Sequence, residues 1–446
     1  MTVGRPTEPV LDRLAGFVAS ASVPPGPQPA ARRTIANAAC LVVGSARAPA
    51  VEAAASLVEG VGSAPQATIL GRPGAVAVPY AAFVMGIAAH IEDFDDTHLR
   101  TIIHPGAPVP PAAIALAERF DLDTGQLAEA VAVGVEVMLR IGNGMSPSHF
   151  ERGWHMTATL GHIGAAATGS RLLGLDGERT TQAIGLALQQ AGGAQAVLGT
   201  MAKSFHPGRA AMDGCEAALL AAQDWSSPRP ILEGSEGFAA QHSDAPDLDE
   251  MLVDLGEHWE LETNAFKPYS CGIVAHPLID AGIALREQID DPEELGAVAV
   301  RANPWVLVAM GLEEPSHGLE SKFSAYHAMA AGYLLGRAGP PEFSTEVALD
   351  PDVIAVRRRI TIVADEEVPR DSAEVTATRR DGREHRLTVE HATGSVERPM
   401  TDEQLREKGR RELERTLDAD RADELLEALF DTTARPVRDV VALATP

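Results

Sequence analysis

From about residue 8 to 240 the chain is one helix-patterned segment after another. PVLDRLAGFVASA, AARRTIANAACLVVGSA, YAAFVMGIAAHIED, PPAAIALAERF, TGQLAEAVAVGVEVMLRIG, TLGHIGAAATGSRLLGL, TTQAIGLALQQAG and RAAMDGCEAALLAAQDW place apolar residues at i, i+3, i+4 and i+7. Pro, Gly, Asp and Thr fill the breaks as caps and stops. Many apolar positions are Ala or Gly, so the helices are expected to pack closely as a multi-helix globule rather than a coiled coil. Beyond about residue 268 the period changes. A helix in VAHPLIDAGIALREQ precedes a strand in GAVAVRANP. Another helix around FSAYHAMAAGYLLGR precedes RRRITIVAD, AEVTATRR and EHRLTVEHA, which alternate at period two. The expected fold is mainly α: a large all-helical domain over 1–267, completed by a helical tail at 398–446, and a smaller α+β lid domain over 268–397 with an antiparallel sheet.

With 446 residues the chain exceeds one ordinary core, which suits two or three domains. The formal net charge of -26 disfavours nucleic acid and anionic membrane surfaces as partners. No unbroken apolar run is long enough to span a bilayer and no secretory signal is visible, so a cytoplasmic protein is expected. Cys40, Cys215 and Cys271 lie far apart without CxxC spacing, which argues against a disulfide framework or a zinc site.

An acidic protein that binds an anion needs a local cationic pocket, and the lysines are where to look. Only four of the 37 basic residues are lysine: Lys203, Lys267, Lys322 and Lys408. Lysine is a compact ammonium whose pKa moves when buried, a property arginine lacks. Lys408 sits on a charged helical pattern and is expected to be solvated. Lys203 in GTMAKSFHPGRAA and Lys267 in TNAFKPYSCG fall in Gly/Ser/Pro-rich breaks, where functional groups concentrate.

The stretch HIEDFDDTHLRTIIHPG, residues 90 to 106, crowds acids and imidazoles at the end of an apolar helix. Acids at a helix C-terminus oppose the macrodipole, a cost that points to use. If the helix continued, Asp93 and Thr97 would share a face, while Asp95 and Asp96 would cap or pair outside the pocket. Further clusters are RGWHMTATLGHIG with His155 and His162, KSFHPGRAAMDG with Lys203, His206 and Arg209, and FKPYSCGIVAH with Lys267, Cys271 and His276. No nucleophile elbow, Walker loop or dinucleotide fingerprint occurs in context. Acids, imidazoles and rare lysines suit removal of a proton beside a carboxylate, with lysines holding the developing charge and no cofactor or metal required.

These stretches, together with SKFSAYHAMA, resemble the MmgE/PrpD family, whose members include 2-methylcitrate dehydratase, cis-aconitate decarboxylase and iminodisuccinate epimerase. The resemblance implies a helical domain with an α+β lid, a pocket between them, a homodimer, and a small polycarboxylate substrate. By motif it implies catalytic roles for Asp93, His104, His155 and Lys203, and substrate binding by Thr97, Lys203, Lys267 and His276. Where the dehydratase and decarboxylase branches carry a tyrosine, this chain reads FSAYH, which makes His327 or Tyr326 the candidate acid. A cofactor-independent lyase (dehydratase or decarboxylase) is therefore expected, with a dicarboxylate epimerase as the alternative. A non-catalytic family member is a remoter reading. So is a magnesium-dependent helical prenyl-diphosphate cyclase, which the scarcity of aromatics, 4% of residues, disfavours.

Overall fold

The computed structural model describes residues 8–445. The start of the segment read for a secretory signal, and of the domain expected at 1–267, lies outside the described residues. Helices dominate as the periodicity predicts. The longest, Thr124–Met145, begins where Asp123 accepts hydrogen bonds from the Gly125 and Gln126 backbones and Gln126 reciprocates, a capping box. The helix Val78–His90 is apolar all round and buried on nearly every side, so it runs through the middle of the domain. It crosses Ala202–Ala221 at Gly86 and Gly208, where a Cβ on Gly86 would lie 2.8 Å from the Gly208 Cα. That approach brings the Lys203 end of one helix to the His90 end of the other.

One hydrophobic core draws on residues from Val10 to Leu261 and again from Leu413 to Ala444. The tail helices Asp402–Leu413 and Ala419–Phe430 return to Pro27–Gly44 in this core. A second core, from Ala265 to Ala377, lies under a four-stranded sheet ordered Ile360–Ala364, Leu295–Ala302, Ala373–Arg379, Glu384–Val389. The sheet is mixed rather than antiparallel, because Leu295–Ala302 pairs parallel with Ile360–Ala364. The chain between them runs through the helices Trp305–Met310, Ala325–Leu335 and Pro351–Arg357, the long crossover that a parallel pair needs. Among the described residues no single helix is long and apolar enough to cross a membrane.

Candidate active site

The helix Val78–His90 ends where the acids begin, and the expected continuation to Thr97 does not occur. Asp93 adopts a left-handed backbone with φ 49°, which Asp tolerates better than most residues. The chain then becomes a short strand, Asp96–His98, paired antiparallel with Asn264–Phe266, with Asp96 opposite Phe266. This register delivers Lys267 beside the 93–95 turn. Asp96 is tied into the scaffold, though by strand pairing and not by a continued helix: its carboxylate accepts from Gly106 N at 2.8 Å and Asn264 Nδ2 at 2.6 Å. Burial and the neighbouring Asp95 push its pKa up to about 6.

All four lysines are buried, and all four converge on residues 92–95. Lys203 and Lys267 each place Nζ 2.8 Å from Asp93 Oδ1, and Lys267 also lies 3.7 Å from Asp95 Oδ1. Lys322 reaches the Glu92 carbonyl at 2.9 Å and its carboxylate at 3.2 Å. Lys408 is not solvated: it donates to the carbonyls of Phe94 at 2.6 Å and Lys267 at 2.9 Å, and burial pulls its pKa down to about 7. Its charged helical pattern hid a single inward position.

Burial raises Asp93, but Lys203 and Lys267 outweigh it and hold the carboxyl well below its usual range. The two ammonium groups respond oppositely to a shared partner. Burial lowers both, yet Asp93 and Asp95 leave Lys267 above its ordinary value. Lys203, bonded to Asp93 alone and facing Lys267, ends below. Of its three N–H donors Lys203 uses one on Asp93, which leaves two for a ligand.

Three imidazoles line the same space. His90 lies 5.0 Å from His104 and 6.0 Å from His155 between ring centroids. The His104 Nδ1 meets Thr97 Oγ1 at 2.9 Å and the Asp96 carbonyl at 3.0 Å. A carbonyl only accepts, so Nδ1 carries the proton and Nε2 is left as a lone pair. His90 Nδ1 donates to Asp95 Oδ2 at 2.7 Å, which likewise leaves its Nε2 bare. Burial, reinforced by Lys267 at His104 and by Lys203 at His155, holds both rings well below the usual imidazole range, so both are neutral at pH 7. Asp95, expected outside the pocket, belongs to it: His90, His104 and Lys267 keep it ionised despite burial.

His90, Asp93 and Asp95 present ligand atoms within 4.8 Å of one another, close enough for a cation. Two ammonium groups already face Asp93 there and would repel one. The DFDDT stretch is thus not an open carboxylate cluster of the kind a magnesium-dependent cyclase needs.

Residues 12–251 match the model of the MmgE/PrpD N-terminal domain, and residues 269–432 that of the C-terminal domain. This chain belongs to the MmgE/PrpD family. Among relatives, mouse "Cis-aconitate decarboxylase" is 28% identical over 384 residues, covering 80% of this chain and 77% of the relative. "Cis-aconitate decarboxylase-like protein oryM" of Aspergillus oryzae is 26% identical over 436 residues, covering 91% and 90%. The "Cis-aconitate decarboxylase" of Aspergillus terreus (strain NIH 2624 / FGSC A1156) is 28% identical over 371 residues, covering 76% and 74%.

In this MmgE/PrpD chain the fold brings together Asp93, Thr97, His104, His155, Lys203 and Lys267. His276 lies near them, at the start of the helix His276–Gln288. It is fully buried, its Nε2 is 3.4 Å from the Cys271 carbonyl, and burial and Lys267 lower its pKa to about 3. His327 is not brought to Asp93. It sits in the second core, where its Nε2 donates to the Glu342 carbonyl at 2.9 Å and its ring packs on Phe343. Tyr326, half-buried one residue earlier, has its phenol pKa raised by burial and by Glu313. His90, Asp95, Lys322 and Lys408 were missed. Their only signal was scarcity for the lysines and proximity to Asp93 for the other two.

Proposed function

We propose that this protein is a cofactor-independent lyase that acts beside a carboxylate of a small di- or tricarboxylic acid of the cis-aconitate or methylcitrate type. The observation that carries the reading is the meeting of two buried ammonium groups on Asp93 next to the neutral imidazoles of His104 and His155. Lys203, with two free donors, and Lys267 bind substrate carboxylate and stabilise enolate charge as it develops. Thr97 and His276 complete the binding site, and Asp93 holds the two lysines in place.

His104, with its bare Nε2, is the base, and His155 is the acid. In dehydration His104 takes the α proton, the C–O bond breaks, and His155 protonates the departing hydroxyl. In decarboxylation the C–C bond breaks, carbon dioxide leaves, His155 gives its N–H proton to the carbanion, and a proton from solvent restores the ring. The names of the relatives favour the decarboxylating course. His327, committed to a carbonyl in the second core, has no part in this scheme, and nothing favours Tyr326 over His155 as acid. Division into a helical domain and a lid near residues 267 and 398, a homodimer and a cytoplasmic location belong to the same reading.

Proton NMR in deuterated buffer with cis-aconitate, methylcitrate, citrate and iminodisuccinate tests it. The expected result is loss of carbon dioxide or water from a tricarboxylate with deuterium at the new C–H bond. It should fall by about a hundred-fold or more in Lys203→Ala and His104→Ala. Full turnover by either variant would sink the site assignment, and stereoinversion of iminodisuccinate without elimination would make the enzyme an epimerase instead.

A further inference from the structure

Of the three imidazoles in the site, only His155 lacks an oxygen acceptor to set its tautomer. Its Nδ1 lies 3.1 Å from Nδ1 of His206, and its Nε2 is buried without a partner. Two ring nitrogens at that distance share one proton. His206 stands on the helix Ala202–Ala221, one turn after Lys203, and is half-buried. It lines a surface cleft of about 450 Å³ together with His162, Phe205, Arg209 and Asp213.

The loop that closes the pair is shaped for it. Gly193 accepts from the His155 backbone at 3.0 Å. It has φ 129°, and a Cβ there would come 2.4 Å from the Ala158 Cβ, as well as 3.0 Å from His206 Cε1 and 3.1 Å from its Nδ1. The charged and titratable groups around His206 are His155, His162, His90, Lys203, Arg209 and Asp213. Burial and the histidine and lysine neighbours lower its pKa to about 4, so a neutral ring faces a neutral ring.

We propose that His206 is a positioning residue that sets the tautomer of His155: with the shared proton on His206 Nδ1, His155 accepts at Nδ1 and must carry its own proton on Nε2. His155 then presents a proton at its buried, unpartnered Nε2 while His104 presents a bare Nε2, giving the site one acid and one base. If the shared proton moves to His155 Nδ1, its Nε2 becomes a lone pair and the acid is lost. The inference rests on the reading of His155 as the proton donor, and it adds the residue that makes it one.

The first test uses ligand-free protein labelled with ¹⁵N only at histidine. Wild type should show His155 protonated at Nε2. His206→Ala should shift that signal toward the other tautomer. Unchanged His155 signals in His206→Ala overturn the proposal whatever the reaction is. If the signals shift but the wild type turns over none of the acids, the pairing stands and the lyase reading falls.

The second test is kinetic. His206→Ala should lower kcat roughly ten- to hundred-fold, the usual cost of losing a partner that orients a reacting group, with KM little changed. Its pH profile should move, and free imidazole entering the vacated cleft should restore turnover. A wild-type kcat and pH profile in His206→Ala would overturn the proposal, and so would a loss that imidazole leaves untouched while the His155 signals stay in place.

Discussion

The turn at residues 92–95 has two sides built from the same kinds of residue for different ends. On its back, Lys322 and Arg415 meet Glu92, and Lys408 joins the Phe94 and Lys267 carbonyls. On its front, Lys203 retains unused donors, while His90 Nε2, Asp95 Oδ1 and His155 Nε2 are buried without partners. Unpaired buried polar groups cost stability. Their clustering on one side is what the proposed substrate site would account for, by supplying the missing partners. The back holds a left-handed Asp93 in place so that the front can stay unsatisfied.

The sharpest way to break this contrast is to remove one lysine from each side. Lys203→Met should lower kcat/KM on the acid substrate by about 10²- to 10³-fold, the scale of losing a charge-stabilising donor. It should unfold at nearly the wild-type urea concentration. Lys408→Met leaves two buried carbonyls without their donor and should cost about 2–3 kcal/mol of unfolding free energy in urea titration. A stable Lys408→Met would show that the back is not the support.

Acid should act on the front first. The folded pKa values of His104, His155 and His90 are depressed, so below about pH 6.5 the unfolded chain binds protons that the folded one refuses. Their contribution is present above that pH and is lost as pH falls toward the folded values. The melting temperature should drop on the order of 5 °C between pH 7 and 5. His104, the proposed base, is held well below the usual imidazole range, so kcat/KM should stay nearly flat down to about pH 6. A rising acid limb centred at 6.5 would contradict its burial.

The smallest effect is expected at His327. His327→Phe should cost about 1–2 kcal/mol through the abandoned Glu342 carbonyl and change kcat less than threefold. A large kcat loss at unchanged stability would return His327 to the reaction.

Much of the front was legible before any coordinates. Lys203 and Lys267 stood out because lysine is rare in this chain and both fall in Gly/Ser/Pro-rich sequence, although Lys203 lies in the first turn of the helix Ala202–Ala221 rather than in a break, and Asp93 and His104 because acids and imidazoles crowd one helix end. Asp95 was misjudged because its place was argued from a helix that ends at His90. Lys408 was misjudged because a charge-rich pattern says which face is wet on average, and says nothing of one position that points inward. His206 was noticed beside Lys203, but its partner lies 51 residues earlier in the chain, a relation no local pattern carries.

Local chemistry in the chain determined the helices, the strands and the residue types of the site, because apolar period, caps and charge act over a few residues. Tertiary structure alone decided that positions 93, 203, 267, 322 and 408 would meet at one turn. It did so by the Gly86–Gly208 crossing, the pairing of Asp96–His98 with Asn264–Phe266 and the return of the tail helices. Each is a long-range packing event whose cause is the fit of surfaces formed only after the elements exist. The left-handed backbone at Asp93 and the pairing of His155 with His206 are likewise products of that fit.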